Sequence, residues 1–483
     1  MAVRTKKEFV ESIRKQKPNV YMLGEKVENL VENRMFQPGI NMSGATYELA
    51  EHPEYKEKAI IYSPLVNEEV SRWTYIPTTK EDLLIRAELT TLKVRDVVCI
   101  LRCLEADILA AFWAITYEID QANKTDYHKR FKEYLKYVQK NDLMLSGAVT
   151  DAKGDRSCRP NDQEDKDVYL HVVSKNERGI VVRGAKLNIT GAPYTNEMLV
   201  LPTRDFVKGE EDFAVAFAIP VDTKGLTFVC RPPGVKKEKG EIEKPVANNF
   251  GHVESMVVFD DVEVPWERVF MCGEVDFAGK LVQTFSCQHR WTKCACKRAQ
   301  VDFLIGAALL MAKANGIEKA SHVRDHITEM MMGADVAESS AIAGAVKGYL
   351  HPSGVYFPDF LKANVGKYMV CIKTAEDYGY LQDISGGAAA TMPTERDYDN
   401  PKLRKLIEKY YKGSRNVDVL ERLKILAVIQ DFTASEFSGW FLGLSINAAG
   451  SPAAEKVEVW RQYDKKSAEN QVRKIANIDG KSK

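Results

Sequence analysis

Cys99, Cys103, His289 and Cys296 are of the residue types that hold metal ions or iron–sulfur clusters, and they occupy two short segments far apart in the chain. The first segment reads Asp96-Val-Val-Cys-Ile-Leu-Arg-Cys-Leu-Glu105, a C-x3-C spacing that on a helix puts both sulfurs on one face. The second reads Cys287-Gln-His-Arg-Trp-Thr-Lys-Cys-Ala-Cys296. With about 3.6 residues per turn, His289 and Cys296 fall within about 20° of each other, while Cys287 and Cys294 point to the opposite side. The spacing predicts one site assembled from two helices, with His289 and Cys296 as partners. Core packing is the plain alternative, because free cysteine behaves as a small hydrophobe. A structural zinc site would show tighter knuckles. Residues seven apart on a helix lie roughly 10 Å apart along its axis, too far for one small ion unless the helix breaks. A cluster several ångströms across spans that gap more readily, which favours a cluster over zinc.

Two further segments carry polar chemistry. Thr150-Asp-Ala-Lys-Gly-Asp-Arg156 concentrates Thr150, Lys153, Gly154, Asp155 and Arg156 in a short loop. It reads either as a solvated turn or as a loop that receives a polar ring edge or diphosphate. Asp383-Ile-Ser-Gly-Gly-Ala388 places Ser385, Gly386 and Gly387 where an anion could approach the backbone, a weak signal alone. No G-x-G-x-x-G fingerprint and no Walker loop occurs, so a Rossmann or nucleotide-hydrolysing reading lacks support.

The elements that must position these residues change period twice. Residues from about 79 to 142 carry apolar side chains at helical spacing. From about Gly147 the pattern turns to short β-rich runs, among them Asp167–Val173, Phe213–Pro220 and Glu254–Pro265. After about Phe277 helices return, with long segments predicted at Ala299–Ala314, Ser321–Gly348, Lys402–Tyr411 and Val417–Gly443. The expected fold is α+β, divided into residues 1–145, 146–275 and 276–483.

Composition narrows the class. Lys plus Arg equals Asp plus Glu at 68 each, so nothing points to nucleic acid or an anionic membrane as a partner. The 483 residues contain no apolar run long enough to span a bilayer, and the start of the chain lacks a signal-peptide core. Nine scattered cysteines argue against a disulfide framework and for a reducing cytoplasm.

The chain resembles the 4-hydroxybutyryl-CoA dehydratase (vinylacetyl-CoA Δ-isomerase) branch of the 4-hydroxyphenylacetate 3-hydroxylase-type flavoproteins. The resemblance runs nearly end to end. It includes Val20-Tyr-Met-Leu-Gly-Glu-Lys-Val-Glu28, Thr116-Tyr-Glu-Ile-Asp-Gln121, Thr150–Arg156, Val181-Val-Arg-Gly-Ala-Lys186, Lys319-Ala-Ser-His-Val323 and Ala449-Gly-Ser-Pro452. It implies an acyl-CoA dehydrogenase-like fold with an N-terminal helical domain, a middle β-barrel and a C-terminal helical bundle, assembled as a homotetramer. It implies a [4Fe-4S] cluster on Cys99, Cys103, His289 and Cys296, and FAD contacts at Thr150–Arg156 and Thr190. Ser385, Gly386 and Gly387 would add flavin contacts from a neighbouring subunit. The implied activity is dehydration or isomerisation of an acyl-CoA by a radical mechanism, with His289, Glu254 and Lys297 in catalytic roles. Three positions depart from the branch: Leu101 where it carries glutamine, Lys293 where it carries tyrosine, and Ser445 where it carries glutamate. A flavin-dependent aromatic hydroxylase shares the fold and has no need of the four ligands. A cluster or flavin protein that only carries electrons is the other alternative.

Overall fold

A capping box starts the helix Lys80–Val97: Thr79 Oγ1 accepts from the Asp82 amide and the Asp82 carboxylate accepts from the Thr79 amide, both at 3.2 Å. The computed structural model describes residues 3–234 and 242–478. The helical stretch expected over residues 79–142 is interrupted after Val97 and resumes as Arg102–Asn123 and Tyr127–Asn141. Cys99 therefore lies in a connection and Cys103 in the first turn of the next helix, which corrects the expectation of one helical face carrying both. The break has identifiable causes. Val98 adopts φ +67°, a conformation that a β-branched side chain resists and that ends the first helix. Arg102 then pins the start of the second: fully buried, it lies 3.1 Å from Glu105, 2.5 Å from Asp142 and 4.5 Å above the Tyr47 ring. Arg102→Met is expected to destabilise the fold by about 3–5 kcal/mol, because it leaves two buried carboxylates unpaired. Urea unfolding of the variant measures this.

The middle of the chain forms two open sheets among the described residues, not one closed ring of strands. The larger contains six strands, with Glu254–Pro265 between Leu226–Arg231 and Gly179–Thr190. The smaller contains four, in the order Val269–Cys272, Val215–Pro220, Glu197–Val200 and Leu145–Ala148. Alternation of buried and exposed residues along Gly179–Thr190 and Glu254–Pro265 turns one face of the larger sheet to the core. Phe217 and Phe259 meet edge to face between the sheets, with ring centroids 6.2 Å apart.

A helix of 41 residues, Val275–Asn315, runs through the C-terminal half. It packs on Lys80–Val97, on Arg102–Asn123 and on the helices Ser321–Val346 and Phe360–Ile384. The expected continuous helix over Val417–Gly443 is instead two, Val419–Thr433 and Glu436–Asn447. Ser435 caps the second through its hydroxyl, which accepts from the Ser438 amide. No helix among the described residues is long and apolar enough to cross a membrane.

Candidate active site

The long helix carries His289 and Cys296 toward one neighbour and Cys287 and Cys294 toward another. Cys287 accepts from Asn364 Nδ2 at 3.5 Å and Cys294 lies 3.9 Å from the Ala363 carbonyl, both on the helix Phe360–Ile384. His289 instead holds Asp107 of the helix Arg102–Asn123, with Nδ1 2.9 Å from Asp107 Oδ2. Cys296 packs in one apolar cluster with Cys103, Ile100 and Ala299. The helix is unbroken between His289 and Cys296, so the pair stays about two turns apart.

Cys103, Cys296 and Cys99 are electrostatic neighbours. Hydrogen bonding between the sulfurs of Cys103 and Cys296 pushes the Cys103 thiol up and the Cys296 thiol down. Burial pushes Cys99 up to about 12, with Lys293 opposing. Among the described residues no three His, Cys, Asp or Glu side chains converge as a ligand set for one metal ion.

The donor set and its surroundings fit an anionic cluster. Asp107 is fully buried and sits one turn beyond Cys103; it also accepts from Thr292 at 3.0 Å and Gln288 at 3.3 Å. A ring nitrogen held by a carboxylate is the arrangement that orients a ligating imidazole and leaves Nε2 to face a metal. Arg86, Lys293 and Lys297 are buried in the same region, yet Lys293 and Lys297 have no carboxylate within ion-pairing distance among the described residues. Buried cations need compensating negative charge, and thiolates would supply it. On Lys293, burial lowers the pKa, but Cys99, Cys296, Cys371 and Cys103 outweigh it and hold the group above an ordinary lysine.

Glu254 and Thr190 face each other across adjacent strands, and Thr190 Oγ1 donates to Glu254 at 2.9 and 3.1 Å. Trp440 Nε1 donates to the same carboxylate at 2.9 Å. Burial pushes Glu254 above the usual carboxylate range despite these donors and Lys293. Lys297 is buried, donates to Ser445 Oγ at 2.6 Å and to Thr374 Oγ1 at 3.3 Å, and is pushed down to about 8 by burial. Leu101 immediately precedes the helix Arg102–Asn123 and its side chain reaches toward Gly191, the residue after Thr190.

The Thr150–Arg156 loop is anchored through Asp151, which pairs with Lys186 at 2.7 Å, both buried. Gly154 has φ +49° and a Cβ there would crowd Gln163 Oε1 at 2.3 Å and Val168 Cγ2 at 2.9 Å, so glycine is favoured. Asp155 is an Asx turn, accepting from the Ser157 amide at 2.9 Å and its hydroxyl at 2.7 Å. Lys153 is half-buried and Arg156 exposed, leaving two cations at the loop surface. Ser385, Gly386 and Gly387 end the helix Phe360–Ile384; both glycines are exposed, with φ +64° and +73°. Among the described residues no hydrogen bond or ion pair joins this segment to the Thr150–Arg156 loop.

Asp107, Arg86 and Trp440 escaped the sequence reading. Asp107 had a signal: a carboxylate in the apolar run Ala106-Asp-Ile-Leu-Ala-Ala111, four residues after Cys103. Trp440 had none, being 186 residues from Glu254.

With this geometry in place, the class of protein follows. The family models 4-hydroxyphenylacetate 3-hydroxylase N terminal and C terminal match residues 5–271 and 278–477. The chain belongs to the 4-hydroxyphenylacetate 3-hydroxylase family and is an enzyme. It is 36% identical to 4-hydroxybutyryl-CoA dehydratase/vinylacetyl-CoA-Δ-isomerase of Clostridium aminobutyricum, over 98% of this chain and 99% of that protein. It is similar to the structure of an oxygen-tolerant archaeal 4-hydroxybutyryl-CoA dehydratase from N. maritimus, with TM-score 0.93 and 35% identity over 99% of this chain and 95% of that one. The FAD-bound oxygenase component of 4-hydroxyphenylacetate 3-monooxygenase superposes with TM-score 0.90 and 26% identity, covering 99% of both chains.

Proposed function

We propose that this enzyme is an FAD- and [4Fe-4S]-dependent dehydratase and isomerase of a hydroxyacyl-CoA, of the 4-hydroxybutyryl-CoA to crotonyl-CoA type. The observation that carries the reading is an imidazole, His289, already oriented by buried Asp107, on the helix whose Cys296 packs in one cluster with Cys103. An aromatic hydroxylase has no use for that set. The chain divides into residues 1–145, 146–275 and 276–483, with the two sheets of the middle region beside the flavin, and works as a cytoplasmic homotetramer. Thr150, Lys153, Gly154, Asp155, Arg156 and Thr190 would hold FAD, and Ser385, Gly386 and Gly387 would reach the flavin of a neighbouring subunit. Cys99, Cys103, His289 and Cys296 would hold the cluster.

Loss of water from a 4-hydroxyacyl thioester requires removal of a β-hydrogen that the carbonyl does not acidify, so protein bases alone have no adequate route. When bound, the flavin supplies one-electron chemistry and the cluster a Lewis acid for the departing hydroxyl. The chain's own residues do the rest. Glu254 takes and returns protons at a carboxylate that burial raises above the usual range. Lys297, held by Ser445, presents positive charge to a developing oxyanion. Asp107 fixes the His289 ring, and Asp107→Asn is expected to weaken metal retention about 10–100-fold, measured as iron left after a chelator challenge.

Anaerobic incubation with 4-hydroxybutyryl-CoA tests the proposal directly. Crotonyl-CoA should form with no added oxidant. Hydroxylation of a phenol with reduced flavin and oxygen, and no turnover of the thioester, would favour the hydroxylase reading.

A further inference from the structure

Arg86 stands out among the buried polar groups that the proposed chemistry leaves unused. It is 2% exposed, and Nε, Nη1 and Nη2 are all buried without a hydrogen-bond partner. A guanidinium cannot shed its charge, so a buried one with no hydrogen-bonded donor is an unfavourable arrangement that asks for a partner. Its surroundings do not account for it. The Trp291 ring lies 5.6 Å away, and Asp107 Oδ1 at 3.5 Å from Nη2 is beyond a good hydrogen bond and is shared with Thr292 and Gln288. Thr90, one turn further along the same helix, has a buried hydroxyl that also lacks a partner. That helix, Lys80–Val97, packs on the long helix that carries His289 and Cys296. Asp107 in turn sits one turn beyond Cys103. Arg86 thus stands behind the sulfur site with unused donors.

We propose that Arg86 is a positioning residue of that site: its guanidinium draws Asp107, 3.5 Å away, into place against His289 and keeps its remaining donors for a sulfur of the bound cluster. The inference rests on the reading that Cys99, Cys103, His289 and Cys296 hold a cluster. A charged donor toward sulfur stabilises the reduced, more negative form, so it raises the reduction potential.

The test uses the anaerobically purified full chain carrying Arg86→Lys, with Arg86→Met beside it. Lysine keeps the charge but lacks the planar fork that spans two partners. Iron and sulfide per chain, the potential from an anaerobic redox titration, and the rate of iron loss to a chelator are measured for each. The expected result is a potential shifted negative in both variants, further in Arg86→Met, with iron lost about 10-fold faster or more. A purely structural arginine would lower thermal stability and leave the potential of the iron-bearing fraction unchanged. An Arg86→Lys protein with wild-type potential and wild-type iron loss overturns the inference alone. Wild-type protein without iron overturns the cluster reading and the inference with it.

Discussion

Cys103→Ala is expected to strip most of the iron from the protein and to lower turnover of the hydroxyacyl-CoA by at least about 10³-fold. Cys103 packs in one cluster with Cys296 where their two helices meet, so its removal opens the site at its centre. No neighbour can replace it: Cys287 and Cys294 face Asn364 and Ala363 on the other side of the long helix. The variant should fold, because thiol to methyl at a buried position costs little beyond a small cavity. His289→Ala should act in the same direction but leave more iron, since three thiols remain. Iron and sulfide analysis with circular dichroism separates loss of ligand from loss of fold. Full iron content in both variants would mean that these residues pack the core and nothing more.

Glu254→Gln is expected to lower kcat by about 10²–10⁴-fold while flavin and iron stay bound. The amide keeps the shape and can still accept from Thr190 and Trp440, so the pocket is preserved while the proton carrier is lost. The pH profile adds a second reading. A carboxylate raised by burial acts as a base only above its raised pKa, so activity should fall on the acid side at a higher pH than an ordinary glutamate gives. Glu254→Gln should abolish that acid limb. A variant that retains the limb would assign the proton transfer to another group.

The phase of the long helix was legible because a fixed angle per residue decides which of Cys287, His289, Cys294 and Cys296 face together, whatever they pack against. The break at Val98–Leu101 was not legible. Nothing in a β-branched valine announces positive φ, and the anchor that imposes it, Arg102 with Asp142, joins residues 40 positions apart. Asp155, read from its motif for ligand contact, also closes an Asx turn on Ser157, the turn chemistry that its short polar loop offers locally. The strands were visible as β-rich runs. Their partition into two sheets depends on pairings such as Val20 with Phe228, which local pattern does not contain. Glu254 was found through family resemblance, but its raised pKa comes from burial that only the packed structure supplies.

The most direct measurement of the central claim is the iron, acid-labile sulfide and flavin content of the wild-type protein purified without oxygen. The account predicts about four iron and four sulfide per chain together with one FAD. Stoichiometric flavin with iron and sulfide absent would contradict it and return the chain to the flavin hydroxylases that share its fold.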